Sequence, residues 1–151
     1  MSIMWEIRPV QSSDAAEWLR MRLALWPDEP AKEAGEIADF LAGNSLPYLE
    51  AAFVCPRPGG GLCGLSEVAI HTEAPGCVTD RIGYLEAWYV DPDVRGQGIG
   101  RALAEAAESW ARAQGCQEMA SDTDPSYPLS PAAHAALGYA EVERYFRKEL
   151  T

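Results

Sequence analysis

Between a run of aromatic and aliphatic residues at Tyr84–Val90 and an apolar stripe beginning at Ile99 stands Arg95-Gly96-Gln97-Gly98-Ile99-Gly100. Three glycines in alternate positions let the chain leave a strand, turn tightly and enter a helix. The stripe runs Ile99, Leu103, Ala106, Trp110, Ala113, in steps of three and four, until Gly115 ends it. A helix N-terminus behind a strand and a glycine turn is an anion site, because unpaired backbone N–H groups and the helix dipole point at one spot. Arg95 and Arg101 add charge beside it. The alternative is a glycine turn that holds nothing. A phosphate loop of the nucleotide-hydrolase kind would need a closing Gly-Lys-Ser/Thr, which is absent. A dinucleotide fold would need GxGxxG in an opening βαβ unit; Glu118 lies about 20 residues on, as a ribose-binding acid would, but the third glycine comes one residue early.

The remaining punctuation describes a mixed α/β chain. Trp5 to Val10 reads as a strand. Asp14 reads as the cap of a helix through Trp18, Leu19, Leu23 and Trp26, with Glu17 completing a capping box and Pro27 ending it. A second helix is expected from Ala31 to Ala42, ended by Gly43. Tyr48–Cys55 and Leu62–Ile70 read as a hairpin across Pro56-Arg57-Pro58-Gly59-Gly60-Gly61, and His71 to Arg81 as loop. Cys116–Ser121 is the next strand, Ser130-Pro131 opens a short helix that Gly138 ends, and Tyr139–Leu150 is a last strand. With 151 residues, no repeat and no linker, one domain spanning 1–151 is expected.

Composition excludes several classes. Met1 to Arg8 lacks the basic start and apolar run of a secretory leader, and no segment approaches ~18 uninterrupted apolar residues; a cytoplasmic protein without a membrane partner is expected. Four cysteines without a CxxC pair and only two histidines assemble no zinc pattern. Cys55, Cys63, Cys77 and Cys116 are read as reduced thiols, with Cys116 an apolar filler rather than a nucleophile, and no metal is expected. A net charge of -11 argues against nucleic acid, which is bound through clustered lysine and arginine, and suits a cationic substrate.

The pattern Arg95-x-x-Gly98-x-Gly100 after a strand, the preceding Glu86-Ala87-Trp88-Tyr89-Val90-Asp91-Pro92, and Ala135-Ala136-Leu137-Gly138-Tyr139 resemble the signature of the GNAT N-acetyltransferases. The resemblance implies a central mixed, mostly antiparallel sheet of about six to seven strands with about four helices, acetyl-CoA as cosubstrate, and a homodimer. Within that superfamily, Leu25-Trp26-Pro27, Leu85-Glu86, Glu118 to Thr123 and His134 to Arg144 are similar to the aminoglycoside 6'-N-acetyltransferases, whose substrates are polycationic amines. The resemblance implies that Trp88, Tyr89 and Val90 offer backbone groups to the pantetheine arm, and that Arg95, Gly96, Gln97, Gly98, Ile99, Gly100 and Arg101 hold its phosphates.

Acetyl transfer to an amine needs the nitrogen deprotonated and placed on the thioester carbon, with a donor for the developing oxyanion. Glu86 stands in an otherwise apolar strand, where an unpaired carboxylate is costly. It is the candidate base and a substrate contact; a salt-bridged or edge-facing glutamate is the alternative. The family's tyrosine for the departing thiolate is replaced by His134, so His134 and Tyr145 are the candidate acids; the alternatives are a His134 that only contacts the CoA chain or is a core or surface histidine, and a Tyr145 that packs a strand. Trp26 and Asp122 match family positions lining an aminoglycoside pocket, against core packing and a turn cap; Asp124, Glu67 and Glu73 are weaker members. Competing readings are acetyl transfer to another small amine or a protein N-terminus, and a non-catalytic acyl-CoA-binding module.

Overall fold

The computed structural model describes residues 4–151; residues 1–3, part of the stretch searched for a leader, lie outside them. The elements are β1 (Arg8–Pro9), α1 (Ala15–Leu25), α2 (Pro30–Leu41), β2 (Ala51–Pro56), β3 (Leu62–His71), β4 (Ile82–Val90), α3 (Ile99–Ala113), β5 (Glu118–Ser121) and α4 (Ser130–Ala136). The strands lie in chain order in one sheet, antiparallel from β1 to β4, with β5 parallel to β4 after the α3 crossover.

Both faces of this sheet are covered, which is why the eight residues Leu62–Ala69 of β3 are all buried. One face packs Val54 and Leu65 against Trp18, Met21 and Ile37 of α1 and α2. The other packs Cys63, Val68 and Leu85 against Ile99, Leu103 and Ala107 of α3. The α3 helix settles close because the strand beneath it has no side chain at Gly64, where a Cβ would stand 2.7 Å from Leu103 Cδ1 and 3.1 Å from Ile99 Cγ2. The Ser66 hydroxyl donates to the Leu103 carbonyl (2.9 Å) from the same strand.

The α1 face encloses an ion cluster. Glu67, 1% exposed, accepts from Trp18 Nε1 (2.8 Å) and from Arg22 Nε and Nη2 (2.8 and 2.6 Å). Arg22 also donates to Glu33 (2.7 Å) and Glu36 (2.5 Å) of α2. Burial works against the Arg22 charge, but Glu67 and Glu36 outweigh it and hold the guanidinium's pKa above its ordinary value. One arginine thus joins α1, α2 and β3. Among the described residues, no buried side-chain nitrogen or oxygen lacks a partner.

Two local expectations are corrected. Asp14 does not cap α1: its carboxylate takes the Gln11 N–H (2.7 Å) and two bonds from Arg8 (2.7 and 2.9 Å). Glu17 instead accepts the Leu62 N–H (3.0 Å) and tethers the hairpin. The last strand expected over Tyr139–Leu150 is not formed, so the sheet has five strands rather than six or seven. Strand propensity measures fit to a half-buried pleated surface, and no such surface of this chain receives the stretch. Tyr145, Phe146 and Leu150 stand 82%, 90% and 87% exposed.

Replacing Arg22 leaves buried carboxylates without their cation. Arg22→Met is expected to lower unfolding stability by about 3–5 kcal/mol, measured in urea, whereas Arg144→Met, which breaks an exposed pair with Glu141, leaves the midpoint in place.

Candidate active site

The turn after β4 has the geometry of an anion cradle. Asp91 anchors its start, paired with Arg20 (2.9 Å) and Arg57 (2.8 Å). Gly96 and Gly98 sit at φ +79° and +88°, in the left-handed region, with nothing within 4 Å of where a Cβ would stand. Gly98 caps α3 without a side-chain hydrogen bond, so the first-turn N–H groups are left for a ligand. Gly100 is different: it is helical, and its carbonyl accepts from Trp88 Nε1 (2.8 Å). The Trp88 side chain therefore pins the turn from below. Arg95 donates to the Val90 carbonyl (2.9 Å), and Arg101 to the Ala136 carbonyl (2.9 Å).

One strand serves both this cradle and a carboxylate. Pairing of β4 with β5 ends at Leu85↔Ser121, while β3 accompanies β4 to Val90. From Glu86 onward the second edge of β4 is thus free of sheet pairing among the described residues, available to an extended ligand arm. At this point the β3–β4 register slips: Glu67 faces Ala87 and Val68 faces Leu85, so Glu86 is the extra residue of a β-bulge. Leu85 and Trp88, three positions apart, consequently share the α3 face, and Tyr89 meets the α1 core. The bulge leaves Glu86 lining a cleft on the α1–α2 side.

That cleft encloses about 530 Å³. Its lining includes Trp26, Tyr48, Asp28 and Glu29, and six of its carboxylates stand against two cations, Arg22 and Lys32. Glu86 is 17% exposed, and its Oε1 lies 2.5 Å from His71 Nε2. Burial pushes the Glu86 carboxyl above the ordinary carboxylate range; the hydrogen bond and charge of His71 pull it back only in part. His71 stacks on Tyr84 (4.3 Å between centroids, 13° between planes), and Tyr84 donates to Asp122.

The structure brings Trp26 and Glu86 to one cleft, Trp26 lying 5.7 Å from the Arg22 guanidinium. Asp122 lies outside that lining, on the stretch after β5, and is held by Tyr84. His134 has both ring nitrogens occupied: Nδ1 donates to the Ser130 carbonyl (2.8 Å), and in the neutral ring Nε2 accepts from Ser121 (2.8 Å). It sits edge-on to Trp88 at 5.1 Å, behind the turn. Tyr145 stands on the exposed C-terminal stretch and donates to Glu143 (2.8 Å). Asp124 makes a local turn with Ser126, while Glu67 belongs to the Arg22 cluster. Sequence reasoning missed Arg22, Asp28, Glu29 and His71. Arg22 had a signal, a charge one turn beyond Trp18 on the buried side of a helix. His71, the final residue of β3, was read as loop. Among the described residues, no group of three or more His, Cys, Asp or Glu side chains could hold a metal ion.

The family model described as "Acetyltransferase (GNAT) family" matches residues 11–139. The aminoglycoside N(6')-acetyltransferase type 1 of Klebsiella aerogenes is 44% identical over 147 residues, covering 95% of this chain and 96% of that protein. Its counterpart from Stenotrophomonas maltophilia is 39% identical over 150 residues, at 95% and 93% coverage. Among solved structures, AAC(6')-Iy in complex with the bisubstrate analogue CoA-S-monomethyl-acetylneamine superposes with a TM-score of 0.83 at 30% identity, covering 98% of this chain and 100% of that one. The aminoglycoside 6'-N-acetyltransferase AAC(6')-IG from Acinetobacter haemolyticus gives 0.81 at 31% identity, with 97% and 99% coverage.

The cradle can be tested through its left-handed cap. Gly98→Ala imposes about 1–2 kcal/mol of backbone strain and adds a methyl group where a phosphate would approach, so CoA affinity measured by calorimetry is expected to fall by about tenfold or more, with the fold retained by circular dichroism.

Proposed function

The chain belongs to the GNAT acetyltransferase family, and from that premise we propose that it transfers the acetyl group of acetyl-CoA to the 6'-amine of aminoglycoside antibiotics, conferring resistance. The observation that carries this reading is the junction at Glu86, where one strand delivers a carboxylate to an acidic cleft and its own end to a phosphate cradle. The relatives act on aminoglycosides by name, and a structural neighbour holds a CoA–aminoglycoside conjugate. Neutralising one ammonium removes a contact with the drug's RNA target.

The residues present fit the cosubstrate. The start of α3, whose N–H groups no side chain caps, with open space beside Gly96 and Gly98, receives the phosphates, and the edge of β4 free of sheet pairing from Glu86 to Val90 receives the pantetheine arm. Acetyl-CoA supplies an activated acyl group there. Glu86 accepts a proton from the substrate ammonium, directly or through one water, and the freed amine attacks the thioester without a covalent enzyme intermediate. Backbone N–H groups of β4 stabilise the oxyanion. Asp28, Glu29 and Glu36 hold the other ammonium groups, and Trp26 offers a flat apolar surface to a sugar ring. The raised Glu86 pKa moves the acid limb of kcat/KM upward, because the base works only when deprotonated.

The assembly we propose is a homodimer, supported by the exposed Val142, Tyr145, Phe146 and Leu150 of the C-terminal stretch, which a second copy would cover. The cytoplasm, where acetyl-CoA is made and used, is the proposed location; among the described residues no helix is long and apolar enough to cross a membrane.

Three measurements test these readings. Thiol release from acetyl-CoA is expected with kanamycin or tobramycin and absent with an analogue lacking the 6'-amine; release independent of that amine would assign another amine substrate, and none with any amine a binding module. Glu86→Gln is expected to cut turnover by more than about tenfold while CoA still binds. A chain ending at Tyr139 is expected to sediment as a monomer where the full chain sediments as a dimer.

A further inference from the structure

The imidazole of His71 is one bond away from the proposed base, yet nothing in the acetyl-transfer reaction itself requires it. It is the terminal residue of β3, opposite Ile82 in the register, and its Nε2 reaches Glu86 at the bulge. Two rings fix it. Tyr84 stacks face to face at 4.3 Å, and Tyr48, from the stretch before β2, lies at 5.8 Å and 49°. Tyr84 is itself held, donating to Asp122. A partly buried imidazole packed between two aromatic rings keeps its nitrogens in one plane and one direction, and that direction places Nε2 2.5 Å from Glu86 Oε1.

We propose that His71 is the positioning residue for Glu86: Nε2–H holds Oε1, and Oε2 is left as the oxygen that meets the substrate amine. Glu86 Oε2 has no hydrogen-bond partner among the described residues, and Glu86 lines the cleft. The arrangement follows the logic of an oriented base, in which a second group fixes the geometry of the first. It also has an electrostatic side. Glu67 on β3 and Asp122 beyond β5 both press Glu86 towards its protonated form, as burial does, and His71 opposes them. Arg22 lies across the cleft with its carboxylates, Tyr84 adjoins His71 on β4, and Tyr48 and Tyr145 complete the titratable groups nearby. The His71 contact is therefore the direct one that opposes burial and the neighbouring carboxylates and favours the ionised form of Glu86.

The inference rests on the proposed acetyl transfer for its consequence, but not for its first test. The carboxyl of Glu86 is followed by carbon NMR across pH in the full-length protein without substrate, in wild type, His71→Ala and His71→Gln. The alanine variant is expected to raise the Glu86 midpoint by about one pH unit. The same variant is then expected to lower kcat at neutral pH by about tenfold with the aminoglycoside KM within about threefold, and to move the acid limb of the rate profile upward with the NMR midpoint. Glutamine keeps an N–H donor but not the charge, so it should recover kcat above the raised midpoint while the limb stays displaced. An unchanged Glu86 midpoint in His71→Ala would overturn the proposal, as would a kcat loss with an unmoved acid limb. A shifted midpoint in a protein that acetylates no aminoglycoside would sink the substrate reading and leave the His71–Glu86 pairing standing.

Discussion

Strand β4 has to be buried on both faces and still deliver a carboxylate, and the bulge at Glu86 resolves that conflict. In a regular strand, residues 85 and 88 point to opposite faces. Here Leu85 and Trp88 both pack towards α3, Tyr89 packs towards α1, and the extra residue between them is the one charged side chain of the strand. Without the slip, correct packing of Leu85 would turn Trp88 away from Gly100, and the hydrogen bond that supports the cradle would be lost. Glu86 and the glycine turn are therefore set by a single register choice.

That choice is held by what flanks it. Glu67 is the β3 residue opposite Ala87, at the start of the slip, and it is fixed by Trp18 and Arg22. Arg22 carries the constraint on to Glu33 and Glu36, so the cleft wall formed by α2 is tied to the strand pair that carries Glu86. A buried ion cluster is a weak source of net stability, and its value here is geometric. It joins two helices to the sheet at the floor of the cleft while leaving Asp28 exposed on the lining beside Glu29, which Lys32 meets at 3.5 Å.

The strand, turn and helix from Tyr84 to Ala113 were legible because their signals are local: a run of apolar residues, glycines where φ is positive, and a stripe of period 3.6 closed by Gly115. Glu86 was legible for a related reason, as the one charged residue of an otherwise apolar strand, whereas Trp26 became a candidate only through the resemblance to the aminoglycoside 6'-N-acetyltransferases. The bulge was not, since register depends on pairing with β3 and no residue of either strand announces it. His71 was lost with it, because a strand that continues one residue further looks like the start of a loop. Asp14 and Glu17 matched a capping box in spacing, but Arg8 and the Leu62 N–H competed for their oxygens more effectively than the helix did. The stretch from Tyr139 to Leu150 has the composition of a strand but pairs with no strand among the described residues.

The same distinction separates the two candidate proton donors from the proposed base. Glu86 has an oxygen left over after its structural bond is made, whereas His134 has none of its ring nitrogens left: one is tied to the Ser130 carbonyl and the other to Ser121. For His134 to protonate a thiolate, Ser121 would first have to release Nε2. Tyr145 is exposed and donates to Glu143, on a C-terminal stretch where Val142 lies against Gly76. Under the proposed function the labour is divided unevenly: deprotonation of the amine would be served by an oriented, partly desolvated carboxylate, and protonation of the departing thiol would be left to a less constrained group. This asymmetry suits the chemistry, because a thiolate is a stable leaving group near neutral pH, while an aliphatic ammonium must lose its proton before it can attack.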